Sequence, residues 1–136
     1  MSSSLTTAEK DLIDRVNYGV NIYVRRLPGL SISKAPAEVI SSRSGTSSEI
    51  AFLKLSHIYK NGFAIERLAM ATCRGSRCSV ALVRSEWSGF FGGKHPCWLV
   101  LDHDNMAIRP VHKSSYRKSR LEIQSLAGLF LTFKDI

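Results

Sequence analysis

The chain has 136 residues, 44% of them hydrophobic and 22% charged, which is room for one domain and one core at the balance of an ordinary globular protein. No apolar run approaches the roughly 18 residues of a membrane-spanning helix, and Met1 to Lys10 is rich in Ser and Thr with no hydrophobic stretch of a secretory signal. The formal net charge of +8 favours an acidic partner, whether nucleic acid, an acidic protein face or anionic lipid, and says little about fold.

Residues 1–6 are expected to be flexible. From about Thr7 to Arg25, Leu12, Val16, Val20 and Tyr23 recur at helical spacing, and Thr6-x-x-Glu9 has the form of a capping box. Leu27-Pro28-Gly29 stops this helix, and residues 30–45, rich in Ser, Pro and Gly, read as an irregular connection. A second helix runs from Ser47 to Asn61, with Ala51, Leu55 and Ile58 on one face and Asn61-Gly62 as its stop.

Beyond it lie short apolar runs at Arg67–Thr72, Ser79–Arg84, Cys97–Asp102, Ala107–Val111 and Gly128–Phe133, read as strands separated by turn-like clusters. Helices first and strands after predict an α+β fold, with N-terminal helices packed on an antiparallel meander, in one domain over 1–136. Cys73, Cys78 and Cys97 form an odd set without CxxC spacing. That argues against a disulfide scaffold or zinc site and for structural thiols in a reducing compartment, the cytoplasm.

The segment Pro36-Ala37-Glu38, then Gly45-Thr46-Ser47-Ser48-Glu49-Ile50-Ala51, is where chemistry would be placed. A Gly turn entering a helix N-terminus offers free N–H groups and a dipole that stabilise an anion or lower a thiol pKa. With Val16-Asn17 and Val20-Asn21 upstream, Lys54, Gly62-Phe63 and Arg67-Leu68 after it, and Leu101-Asp102 further on, the chain resembles the bacterial transglutaminase-like cysteine proteinases. The resemblance spans roughly residues 12 to 103 in the family's order and implies a papain-like core.

The departures bear on function. On the resemblance, the nucleophilic Cys falls on Ser47 and the flanking carboxylates, associated with calcium in the family, fall on Thr46 and Ser48. The His falls on Ser79, or on Cys78 if the strand shifts by one. Only the third member, Asp102, remains. A Ser hydroxyl needs a base within hydrogen-bond reach, and an Asp without an imidazole has nothing to orient, so the family's chemistry is expected to be lost. No metal or cofactor is expected.

Thr46-x-x-Glu49 also reads as a capping box in which Thr46 or Ser47 caps the helix, and Asp102 as a turn or salt-bridge residue at a strand end. Of other bases, His57 lies about three turns from Ser47, His95 sits in a Gly-rich loop, and His103 should point away from the face of Asp102. His112 heads the basic run. Cys78 reads as a buried strand thiol.

Two segments are binding candidates. Lys113, Arg117, Lys118 and Arg120, with Tyr116 among them, have the cations for phosphates and an aromatic for stacking, and read otherwise as a solvated loop between strands. Trp87, Phe90 and Phe91 lie among glycines, as in a recognition tip or a flap folded over the core. The expectation is a catalytically inactive, protein-binding or regulatory domain, of oligomeric state the sequence leaves open. The alternatives are a hydrolase or acyl-transferase with a rearranged Ser or Cys nucleophile, and a nucleic-acid-binding protein using its basic segment.

Overall fold

Helix α1 (Thr7–Tyr23) begins where the capping box places it. Thr6 Oγ1 accepts the Glu9 N–H and Glu9 Oε1 accepts the Thr6 N–H, both at 3.0 Å. The computed structural model describes residues 5–73, 75, 78–88, 94–104 and 106–133, with side chains except at 86–88, 94 and 95. The first four residues of the expected flexible tail therefore lie outside the described part. The helix ends two residues before the expected Arg25, because Val24 turns extended and strand β1 (Arg25–Leu27) pairs in parallel with β2 (Ser44–Thr46).

The stretch 30–45 is not wholly irregular. It holds a short helix α2 (Pro36–Ser42), started by Pro36 in its first turn and ended by Arg43 in the left-handed region at φ 55°. Only Val39 of α2 is buried, so no apolar period marked it in the sequence. The main helix, α3 (Ser47–Lys60), is one residue shorter than expected. It lies between α1 and α2 on one side and the sheet on the other, and all its residues from Ser47 to Ser56 are buried, with Ile58.

The sheet has five antiparallel strands in the order β6-β5-β4-β3-β7: β3 (Leu68–Cys73), β4 (Cys78–Ser88), β5 (Lys94–Leu101), β6 (Arg109–Pro110) and β7 (Leu121–Ser125). Period-two alternation gives it two buried faces. Leu68, Met70, Ala81, Val83 and Leu101 meet Ile13, Ala51, Leu55 and Ile58 of the helices. Ala69, Ala71, Val80, Leu82 and Val100 face the other way, under Trp98, Val111, Tyr116 and Leu121. No helix among the described residues is long and apolar enough to cross a membrane.

Two strand expectations are corrected. Gly128–Phe133 is not a strand but most of helix α4 (Leu126–Thr132), whose Ser125 cap accepts the Gly128 N–H at 3.1 Å. Its core contacts, Leu126 and Leu129, are three residues apart, a helical spacing that a short apolar run conceals. The run 107–111 pairs only at Arg109–Pro110, since a Pro gives the ladder no N–H. Strand β7, largely exposed, went unmarked; it pairs with β3 rather than with its neighbour in sequence, so the sheet is not a simple meander.

Glu49 ties these parts together. Its Oε1 accepts the Thr46 N–H at 2.9 Å, completing the second capping box, while Oε2 accepts the N–H groups of Ser33 at 2.9 Å and Lys34 at 2.6 Å. Gly45 passes close by, where an added Cβ would sit 3.2 Å from Val39 Cγ1 and 3.3 Å from Glu49 Cβ. Burial raises the Glu49 carboxyl pKa, but the N–H groups of Thr46, Ser33 and Lys34 outweigh it and hold it below the ordinary value.

Glu49→Gln exchanges charge-assisted hydrogen bonds for neutral ones and turns an NH2 toward backbone donors, so we expect a loss of about 2 kcal/mol in denaturant unfolding at pH 7. A depressed carboxylate contributes stability above its unfolded pKa, about 4.3, and loses it as pH falls through the lower folded value. The gap between wild type and Glu49→Gln should therefore shrink on acidification; a gap constant with pH would refute this role.

A polar cleft at the head of helix α3

Ser47, the first residue of α3, is 3% exposed, and its Oγ accepts the backbone N–H of Ser79 at 2.9 Å. Beside it Ser48 Oγ and Ser79 Oγ are 2.8 Å apart, and Ser79 Oγ and Thr72 Oγ1 3.0 Å apart. A chain of hydroxyls thus fastens the head of α3 to β4 and β3. The two positions the resemblance assigned to the nucleophile and the base, Ser47 and Ser79, do meet, through the Ser79 backbone N–H and the Ser47 hydroxyl oxygen. Thr46, not Ser47, is the cap.

Asp102 follows the last residue of β5, and its Oδ1 accepts the Asp104 N–H at 3.2 Å in a local turn. The next residue departs from expectation. His103 lies beyond the end of β5, where strand alternation no longer fixes its direction, and its Nε2 comes within 2.6 Å of the Ser79 carbonyl oxygen. A carbonyl only accepts, so Nε2 carries the proton and Nδ1 is a bare acceptor; it is buried with no partner among the described residues. Burial first, then the neighbouring Lys54 charge, lowers the His103 pKa to about 4.

Of the other histidines, His57 is exposed on α3 and lines a groove with α1, His112 is exposed in the 3-10 turn Val111–Lys113, and the His95 side chain lies outside the described residues.

Lys54, which the sequence marked only as part of the resemblance and not as a site residue, is the unexpected group here. It is 0% exposed, and its Nζ donates to Asn17 Oδ1 at 2.7 Å and to the carbonyls of Leu101 at 3.3 Å and Asp102 at 3.4 Å. Asn21 Nδ2 donates to the same Asp102 carbonyl at 2.8 Å. The paired Val-Asn steps of α1 now have a physical meaning: residues 17 and 21 share a helix face and bind α1 to α3 and to the end of β5. A Lys amid Phe52, Leu53 and Leu55 was the sequence signal. Desolvation pulls the Lys54 pKa down to about 7, against the opposing pull of Asp102 and Asp104.

Above Ser47 opens a cleft of about 450 Å3, lined by Arg26, Pro28, Ser47, Cys78, Tyr116 and Ser119 among others. Arg26 pairs with Asp104 across its mouth at 3.4 Å. Cys78 is half-buried rather than buried as expected, because its Sγ faces this cleft, 3.8 Å from Tyr116 Oη. Burial and then the Cys78 sulfur raise the Tyr116 pKa. Tyr116 packs on the outer sheet face, so its ring is no open stacking platform, whereas Lys113, Arg117, Lys118 and Arg120 are exposed around it.

Phe90, Phe91 and the Trp87 side chain lie outside the described residues. An apolar groove of about 340 Å3, lined by Leu12, Val16, Val20, Ile40 and Leu53, lies between α1, α2 and α3, away from the cleft. No group of three or more His, Cys, Asp or Glu able to hold a metal occurs among the described residues.

No protein-family profile matches the chain, and no curated protein matches it by sequence. Solved structures do match. LapG of Legionella pneumophila aligns at a TM-score of 0.65 and 15% identity over 91% of this chain and 72% of its own. Calcium-bound LapG aligns at 0.59 and 17%, over 81% and 62% of the two chains, and EGTA-treated LapG at 0.59 and 18%, over 82% and 60%. The chain thus spans less than two thirds of the length of these last two. The likeness shows the fold: helices packed against a five-stranded antiparallel sheet in a LapG-like, transglutaminase-like core.

The two depressed bases make stability depend on pH. Between about 7 and 10.5 the unfolded chain carries a proton on Lys54 that the folded chain lacks, so this residue makes stability rise with pH across that window; His103 acts alike between about 4 and 6.5. Urea unfolding of wild type and Lys54→Met from pH 7 to 9.5 should give a difference that grows with pH in favour of wild type. Parallel curves would show that Lys54 titrates normally.

Proposed function

We propose that this chain is a catalytically silent transglutaminase-like domain that binds a segment of a partner protein in the cleft over the head of α3, in the cytoplasm. The observation that carries this reading is the Ser79 N–H donated to Ser47 Oγ at 2.9 Å. Activation of a serine hydroxyl needs a base accepting its proton. The family's base position holds another serine instead, and that serine's backbone occupies a lone pair of the would-be nucleophile. Among the described residues the imidazole in this neighbourhood is His103, turned to the Ser79 carbonyl as a donor.

Binding is favoured by what lines the cleft. It offers a cation, hydroxyls and an aromatic edge, from Arg26, Ser115, Ser119 and Tyr116, which suit a polar or acidic peptide segment. The net charge of +8 attracts such a partner. A cytoplasmic setting agrees with the thiol form of Cys78 and Cys97.

Two measurements test the reading. Incubation with a fluorophosphonate should leave Ser47 unmodified by mass spectrometry; an adduct on Ser47 that disappears in Ser47→Ala would overturn catalytic silence. For binding, Ser115→Trp places a large side chain in the cleft from an exposed position. Partners co-purifying with the full chain should fall at least tenfold with this variant while its thermal midpoint stays within about 2 °C of wild type. Undiminished capture by the folded variant would remove the cleft from consideration.

A further inference from the structure

Cys73 closes β3 and Cys78 opens β4, and the ladder places them directly opposite each other as the last pair before the connecting turn. Opposed residues of an antiparallel pair have Cα atoms about 4.5–5.5 Å apart and side chains on the same face. That separation lies within the roughly 4.4–6.8 Å a disulfide spans. The shared face follows from the neighbours. Thr72 and Ser79, also opposed, turn toward α3 and join Ser48, so Cys73 and Cys78 both turn to the outer face. There Cys78 Sγ meets Tyr116 Oη at 3.8 Å, and Cys73 lies opposite Leu121 of β7.

The two thiols differ in access. Cys73 is 5% exposed, whereas Cys78 is half-buried and lines the cleft. The third thiol, Cys97, faces Ser85 across the β4–β5 ladder and has no cysteine opposite it. An odd cysteine count therefore conceals one geometrically matched pair and one remaining thiol.

We propose that Cys73 and Cys78 are a reversible dithiol pair, closed to a disulfide by a low-molecular-weight disulfide such as oxidised glutathione that enters through the cleft. Cys78 thiolate attacks one sulfur of RSSR, forming the mixed disulfide Cys78–S–S–R and releasing RS−. Cys73 thiolate then attacks Cys78 Sγ, forming the Cys73–Cys78 bond and releasing the second RS−. The two thiol protons end on the two released RSH, the protein pair is oxidised by two electrons, and RSSR is reduced by two. Closure draws Cys78 Sγ toward Cys73 and away from Tyr116, altering the cleft wall. Transient disulfides of this kind are the form that redox sensing takes in a reducing compartment.

This inference is independent of the partner-binding reading, because its readout is the bond itself. The full chain is equilibrated in reduced and oxidised glutathione at potentials from about −300 to −150 mV, then acid-quenched, alkylated and mapped by mass spectrometry. We expect a linked Cys73–Cys78 peptide with Cys97 alkylated, unchanged in Cys97→Ser. Cys73→Ser should instead accumulate glutathione on Cys78, and Cys78→Ser should take up none at Cys73. Three thiols reduced throughout would overturn the proposal, as would a bridge to Cys97 or glutathione persisting on Cys78 of the wild type. The cleft effect is read separately from the Tyr116 ring resonances by NMR, which should shift on oxidation in wild type and not in Cys73→Ser; unshifted resonances would sever the bond from the cleft.

Discussion

Helix α3 is buried from Ser47 to Ser56 yet polar at its head and in its middle, and this constraint organises the molecule. Ser47, Ser48, Glu49 and Lys54 are all withdrawn from water, where an unpaired amide, hydroxyl or charge costs several kcal/mol. Each must therefore be met by a specific partner from a distant segment. Ser47 and Ser48 recruit β4, Glu49 recruits the backbone of residues 33–34, and Lys54 recruits Asn17 and the end of β5. Apolar contacts make the core favourable; these polar contacts leave few ways to assemble it. The charge on Lys54 is the dearest of them, which is why its proton is loosely held.

What was legible in the sequence and what was not divides along this line. Both long helices announced themselves through apolar spacing, and both capping boxes, Thr6 with Glu9 and Thr46 with Glu49, sit where the residue types put them. Short elements were opaque for a physical reason. Helix α2 buries one side chain, β7 lies exposed at a sheet edge, and α4 offers a run too brief to tell a period of 3.6 from one of 2. Their identity is set by the surfaces they lean on, which no local pattern encodes.

The site divides in the same way. The resemblance grouped Ser47, Ser79 and Asp102; the first two meet, while the Asp102 carboxylate turns to the Asp104 N–H. The direction of His103 was not readable, because alternation applies only inside a strand and this residue follows its end. The burial of Lys54 was readable in principle, from a cation among Phe52, Leu53 and Leu55, but its partners depend on how α1 crosses α3. Cys78 is a similar case: its place in the ladder makes it a strand residue, while its place at the strand's first position opens it to the cleft.

The head of α3 is a place where anion stabilisation and helix capping draw on the same groups. In this chain they are committed to structure. Thr46 Oγ1 takes the Glu49 N–H, Glu49 returns to the Thr46 N–H, and the Ser47 hydroxyl is held as an acceptor by β4. A nucleophile at this position would need its proton drawn away; the serine has a lone pair engaged by the Ser79 N–H, and among the described residues no base receives its proton. Such a hydroxyl stabilises the junction between helix and sheet at low cost.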